Sequence, residues 1–311
     1  MSDRQPLSSY RAPRYWPVWI GVGALRLVCS LPHRAALAVG RTLGRLAHAL
    51  GGSRRAVARR NIELCFPDLS ADERDALAYR HFEALGMALI EMGVGRWGRV
   101  ERLQSLSTLV GLQNLRDALA TGRGVILLSA HFTTLEIMGR ALAEEIPPFD
   151  AVFRRNRSEF LTELQRTGRE VSADSTIEKR DIKKMVRALR SGRAVWYAPD
   201  QSYDRKGAEV VPFFGVPSMH TTATSTLARL GDALVVMFFP RRLEDSTYEM
   251  TLLPALENFP SDDAGADARR YVEALEEHVR KCPEQYLWIH RKFKNLPDGH
   301  PDYYADLDAL K

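Results

Sequence analysis

From residue 124 onward the chain repeats one pattern that leaves few folds open: a short apolar run, a polar turn, then a segment with helical spacing. Gly124-Val125-Ile126-Leu127-Leu128-Ser129-Ala130 is the first such run. It has the length of a strand buried on both faces and is too short for a buried helix. A helix is expected next, from about Thr133 to Ala143. Ala151-Val152-Phe153, Ala194-Val195-Trp196-Tyr197-Ala198 and Leu234-Val235-Val236-Met237-Phe238-Phe239 repeat the strand signature, and residues 248–253 offer one more. Helices are expected at 180–191, 220–230 and 265–280. Strands alternating with helices predict an α/β domain, a central mixed sheet flanked by helices.

The N-terminal part reads differently. Residues 15–25 run YWPVWIGVGAL, uncharged and aromatic-rich, before Arg26 interrupts and LVCSLP follows. A membrane span needs about 20 apolar residues, and an Arg near its middle costs about 2.5–3.5 kcal/mol. Three arrangements fit: a short span with Arg26 snorkelling, a helix lying in the interface, or a helix buried in the core. Tyr15, Trp16 and Trp19 suit the headgroup level in the first two. The broken apolar stretch and the lack of a small-residue cleavage site argue against a signal peptide. Residues 34–50 read as a basic amphipathic helix ended by Gly51 and Gly52, and another begins at SRRAVARRNIELCF. Ser70 heads a third, with Asp72 and Glu73 in its first turn and Gly93 and Gly95 expected to close it.

Charge is concentrated in this part. Residues 11–60 hold ten Arg and no Asp or Glu, a local +10 against +5 for the whole chain, so the remainder is net acidic. Such a patch attracts phosphate-bearing surfaces or an acidic carrier. Interleaved Trp and Leu favour a bilayer over bases, and no nucleic-acid module is present. The expected division is therefore a membrane anchor and basic amphipathic region over 1–60 and a catalytic domain over 61–311. Cys29, Cys65 and Cys282 lack zinc or redox spacing, which predicts reduced thiols in a cytosol-facing part and no metal. GVGALR lacks the third Gly of a dinucleotide fingerprint, and there is no Walker loop and no Gly-x-Ser-x-Gly elbow.

SAHFTTLE is the segment with chemistry in it. His131 sits where the strand 124–130 ends, the place where ligands collect in open α/β sheets. Glu136 follows five residues on. On one continuous helix the two would point about 140° apart, so they meet only if His131 lies in the turn before the helix. An imidazole there can take the proton of an attacking alcohol, and a carboxylate on its other nitrogen would fix the tautomer. The spacing alone is more often met by a His that merely caps a strand end, because His and Glu five apart is common by chance.

Longer blocks decide between these. RRNIELCFPDLSADER, HFEALGMALIEMG, AVWYAPDQSYDRKGAEVVPFFGV and CPEQYLWIHRKFK, behind PRYWPVWIGVGALRL, resemble in order the lipid A biosynthesis acyltransferases. That family lies within the superfamily with a His-x-x-x-x-Asp/Glu signature, and the similarity runs from about Arg14 to Phe293. The resemblance implies His131 as general base, Glu136 as its orienting partner, and needed roles for Arg169 and Asp200. One departure is Asp204, where the family often has Gly. The resemblance further implies transfer of a fatty acyl chain from acyl carrier protein to a hydroxyl of a lipid A precursor, with no cofactor. The enzyme would act at the inner membrane, facing the cytoplasm. Arg154, Arg155 and Arg157 are candidates for lipid phosphate or the carrier, Phe213 and Phe214 for an acyl channel. Trp288, His290, Arg291 and Lys292 are candidates for an anionic glycolipid headgroup. Rival readings are an acyltransferase for another lipid (glycerolipid, mannolipid or aryl polyene) and a non-catalytic membrane adaptor with the same fold.

Overall fold

The structure is a computed structural model that describes residues 5–204 and 207–308. In chain order its strands are β1 (Ser107–Val110), β2 (Val125–Leu128), β3 (Asp150–Phe153), β4 (Ser175–Glu178), β5 (Ala194–Tyr197), β6 (Ala208–Phe213), β7 (Val216–Thr221), β8 (Leu234–Arg242) and β9 (Tyr248–Leu252). Seven of them form one sheet in the order β1-β9-β8-β2-β5-β3-β4, while β6 and β7 make a separate antiparallel ribbon. β2 lies at the centre, parallel to β5 and β8. β9 runs antiparallel to β8 and parallel to β1, so the sheet is mixed. All four residues of β2 are buried, as a strand covered on both faces requires.

Five α-helices precede the sheet: α1 (Trp16–Cys29), α2 (His33–Leu50), α3 (Gly52–Cys65), α4 (Ala71–Trp97) and the short α5 (Val100–Ser105). The others connect strands or follow the last one: α6 (Leu112–Ala120), α7 (Leu135–Ala143), α8 (Glu159–Arg169), α9 (Ile182–Arg190), α10 (Ala223–Gly231), α11 (Ala264–Lys281) and α12 (Ala305–Asp308). Ser70 and Glu73 form a reciprocal capping box at the start of α4. Gly93 and Gly95 do not end this helix. Gly93 is a close-approach point, where a Cβ would stand 2.5 Å from Cys29 Sγ in α1, while a Cβ on Gly95 would make ordinary contact, 3.4 Å from the Glu136 carbonyl in α7. Gly40 and Gly44 of α2 meet Gly86 of α4 so closely that a Cβ on any of the three would overlap backbone of the facing helix.

Behind this crossing lies a buried polar network. Glu91 of α4 and Arg242 of β8 form an ion pair at 2.5 Å, and the Tyr248 hydroxyl donates to Glu91 at 2.8 Å. His33 Nε2 of α2 lies 3.1 Å from the same hydroxyl. The boundary expected at residue 60 falls inside α3. Arg54 donates to the Ile289 carbonyl, Arg55 to that of His48, and Arg60 to that of Tyr303, while Arg59 pairs with Asp75. These four arginines hold α3 in place. Arg11, Arg14, Arg26, Arg41 and Arg45 are exposed.

Tyr15 and Trp19, expected at a headgroup level, pack instead on Phe160 of α8 at 5.1 and 5.2 Å between ring centres. Trp16 remains exposed. Among the described residues no helix is long and apolar enough to cross a membrane.

Candidate active site

β2 and β5 are parallel neighbours with Leu128 opposite Tyr197. The Ser129 N–H donates to the Tyr197 carbonyl at 2.9 Å, continuing the pairing by one residue. His131 lies three residues beyond Leu128, and Asp200 three beyond Tyr197. Equal offsets from strands about 4.8 Å apart bring the two side chains together, with His131 Nδ1 2.5 Å from Asp200 Oδ1. A segment from the C-terminal part clamps the His131 loop. Leu287 N–H donates to the His131 carbonyl at 3.1 Å, and Thr133 N–H to the Gln285 carbonyl at 2.9 Å.

The imidazole is 33% exposed and the carboxylate 2%. Burial works to raise the Asp200 pKa. His131, as charge and hydrogen-bond partner, and then Lys292 outweigh it and hold the carboxylate well below its usual range. With Nδ1 engaged, Nε2 is the ring nitrogen left to meet a substrate.

The pairing of His131 with Glu136 expected from their spacing is therefore corrected. Glu136 Oε1 accepts from Arg169 Nε at 2.9 Å and Nη2 at 2.6 Å. Arg169 Nη1 also donates to the Val152 carbonyl at 2.9 Å. Glu136 stands in the first turn of α7 and Arg169 in the last turn of α8, each at the helix end that favours its charge. His131 does lie in the turn ahead of α7, as the geometry demanded, but the neighbouring strand reaches it with Asp200. Unpartnered buried polar atoms gather nearby: Ser129 Oγ, Thr133 Oγ1, Thr134 Oγ1 and His290 Nε2. Burial pushes the His290 pKa down to about 4, so its ring is neutral at physiological pH.

Residues 4–295 match the family described as bacterial lipid A biosynthesis acyltransferase. The chain belongs to that family. It is 38% identical over 294 residues to the lipid A biosynthesis lauroyltransferase of Escherichia coli (strain K12), covering 94% of this chain and 96% of that one. To the palmitoleoyltransferase of the same organism it is 37% identical over 295 residues, covering 94% and 95%. To the myristoyltransferase it is 28% identical over 303 residues, covering 96% and 94%. The protein is an acyltransferase.

In this lipid A biosynthesis acyltransferase several candidate binding residues are elsewhere than expected. Phe213 is 0% exposed and Trp288 1%. Both pack in the core, where Trp288 Nε1 donates to the Pro283 carbonyl at 2.6 Å, so neither wall nor headgroup contact is open to them. Phe214 is half-buried, with the Arg280 guanidinium 4.5 Å from its ring centre. Lys292, grouped with a headgroup cluster in the sequence, is sealed inside. Arg291 is half-buried, 5.3 Å from the Tyr304 ring centre. Arg154, Arg155 and Arg157 are exposed in the loop after β3. Reading the sequence missed His220 and Tyr286, which join Asp200 and Lys292 beneath the site. His220 carries no local signal, since it sits at the end of a strand that was read as a helix start.

Proposed function

We propose that this acyltransferase moves a fatty acyl chain from the thioester of acyl carrier protein to a hydroxyl of a lipid A precursor, late in lipopolysaccharide biosynthesis. The observation that carries the reading is the imidazole of His131, one nitrogen on a buried carboxylate and a third of the ring exposed at the carboxyl ends of β2 and β5. Nε2 takes the proton of the acceptor hydroxyl as its oxygen attacks the thioester carbonyl carbon. Asp200 keeps the other proton on Nδ1 and stabilises the imidazolium, a base–orienter arrangement with which general-base catalysis contributes roughly 10²–10⁴-fold. The tetrahedral intermediate collapses by C–S cleavage, and Nε2 returns the proton to the leaving thiolate. Alcohol and thioester become ester and thiol, so atoms and electrons balance with no further reactant. Glu136 fixes Arg169 as an oriented cation beside the site, suited to an anionic part of either substrate. The lauroyl, palmitoleoyl and myristoyl groups in the relatives' names support a fatty acyl group as the cargo.

Residues 1–60 would bind the cytoplasmic face of the inner membrane, with residues 61–311 facing the cytoplasm. Ile20 and Leu27 of α1 are 71% and 72% exposed, and Leu43, Leu46 and Leu50 of α2 are exposed beside Arg41 and Arg45. At an anionic surface each such Arg contributes about 1 kcal/mol. α1 has 14 residues, which suits a helix lying in the interface. Three free cysteines fit a reducing side.

The test is a transfer assay with the purified full chain, acyl carrier protein loaded with a fatty acyl group, and a lipid A precursor, read by mass spectrometry. One added acyl mass is expected. His131→Ala should yield none while still binding liposomes. Full turnover by that variant defeats the mechanism, and preference for a glycerolipid acceptor defeats the substrate assignment.

A further inference from the structure

Beneath the His131–Asp200 pair lies a cation that the reaction scheme above does not use. Lys292 is 2% exposed. Its Nζ donates to the Asp200 backbone carbonyl at 2.5 Å, lies 3.3 Å from His220 Nε2, and stands 4.8 Å from the Phe213 ring centre. A buried ammonium is unfavourable without an anion nearby, so its position needs a reason. We propose that Lys292 is a positioning residue for acyl transfer, a buried counter-charge fixed on the Asp200 backbone carbonyl that helps keep this carboxylate ionised and aimed at His131. The inference rests on the His131–Asp200 reading.

The placement of Nζ on the Asp200 carbonyl, against His220 and the Phe213 face, carries it, and the charge inventory of the pocket supports it. α3 contributes Cys65, whose thiol burial pushes well above its usual pKa. β7 contributes His220, which burial pushes well below. Tyr271 of α11 and Tyr286 face Asp200, and burial raises both phenols. His290, on the same loop as Lys292, is pushed down to about 4 by burial. Glu276 of α11 has its own cation, Arg280, at 3.1 Å, and also accepts from the Phe214 N–H at 2.7 Å. Cys65, His220, Tyr271, Tyr286 and His290 are thus uncharged at neutral pH. What remains below His131 is one carboxylate, Asp200, and one ammonium, Lys292. Burial lowers the Lys292 pKa to about 8 against the pull of Asp200, which leaves it mostly charged at neutral pH.

This matters because a general base must be neutral before it reacts. With Lys292 beneath, the carboxylate facing the ring has a buried cation 2.5 Å from its own backbone carbonyl, which offsets its pull on a ring proton. His220, itself 2.8 Å from Ser218 Oγ, and the Phe213 face hold Nζ where it serves both the carbonyl and the charge.

The experiment compares pH–rate profiles of the wild type, Lys292→Met, Asp200→Asn and the double variant, with His131→Ala as control. Lys292→Met should lower kcat by roughly 10²-fold with little change in KM, and move the acidic limb of kcat/KM up by about one pH unit. In the double variant the lysine change should cost little more than Asp200→Asn alone, because its effect runs through Asp200. A slower Lys292→Met enzyme with an unmoved limb and full multiplication in the double variant overturns the proposal. If Lys292→Met does not fold, Lys292→Gln, which keeps a donor for the carbonyl without the charge, takes its place. Failure of both to fold while Asp200→Asn folds also overturns it, since the lysine then serves the fold and not the dyad. Activity in His131→Ala would instead sink the underlying reading, whatever Lys292 does.

Discussion

At the scale of single residues, the site turns on which carboxylate reaches His131. Its position at a strand end was legible in the sequence, because an apolar run closing on a polar residue marks the mouth of an α/β sheet. Its partner was not. Asp200 is 69 positions away, and only the in-register pairing of β2 with β5 makes the two neighbours. Glu136 is near in sequence and spoken for by Arg169. Asp200→Asn should therefore lower kcat by roughly 10⁴-fold, as loss of an orienting carboxylate does elsewhere. Glu136→Gln should leave the acidic limb in place and act mainly on KM by freeing Arg169. Equal losses with a shifted limb in both variants would return Glu136 to the base. Stability against pH gives a second check. Asp200 is held below the usual carboxylate value, so its contribution is present above about pH 3.9 and lost as pH falls toward the depressed value. The urea midpoint should drop more steeply below pH 4 for the wild type than for Asp200→Asn. Lys292 gives a slope of the same sign in a different pH window. Folded, it releases its proton near pH 8, and unfolded near about pH 10.4. The unfolded chain binds more protons between these values, so wild-type stability relative to Lys292→Met should rise with pH across that window.

At the scale of elements, the sequence was most readable where an element is buried on a periodic face and least where it lies at an edge. β2, β5 and β8 were foreseen from continuous apolar runs. β1 and β4 are four-residue edge strands, STLV and STIE, with no such run. The β6–β7 ribbon was hidden by Pro212 and Pro217, which face each other across it, because proline ordinarily demotes a strand. α4 was started correctly by its capping box and ended too early by its glycines. A glycine in sequence does not declare whether it stops a helix or admits a neighbour. The α2–α4 crossing makes the second case testable. Gly86→Ala should overpack the contact and destabilise by about 1–3 kcal/mol or more, since its Cβ meets backbone that cannot swing aside. Gly23→Ala in α1, where a Cβ meets nothing within 4 Å, should be neutral or stabilise by up to about 1 kcal/mol. Thermal unfolding of the two variants separates packing from propensity, and equal shifts would deny the close crossing.

At the scale of the whole molecule, the question is how the exposed apolar face of α1, proposed above to meet lipid, is connected to a site at the carboxyl ends of the central strands. The first turn of the chain supplies a connection. Tyr10 stacks on Phe160 at 5.0 Å, Tyr15 and Trp19 complete a cage around the same ring, and Trp19 Nε1 donates to the Tyr10 carbonyl at 2.7 Å. Phe160 opens α8, and Arg169, the partner of Glu136, closes it. The helix α1 that carries Ile20 and Leu27 outward is thus bolted to the helix that carries a charged group of the site. Surface binding and site geometry then predict separable defects. Burying one such aliphatic side chain is worth about 1.5–3 kcal/mol, and replacing it with Glu also adds repulsion from an anionic leaflet. Ile20→Glu with Leu27→Glu should reduce liposome binding by at least tenfold, leaving transfer to an acceptor dispersed in detergent intact. Phe160→Ala should do the reverse. It empties the cage, loosens α8, and lowers transfer in detergent while the apolar face of α1 still binds liposomes. If the two variants lose both properties together, α1 and α8 act as one inseparable unit, and the separation of membrane face from catalytic face fails.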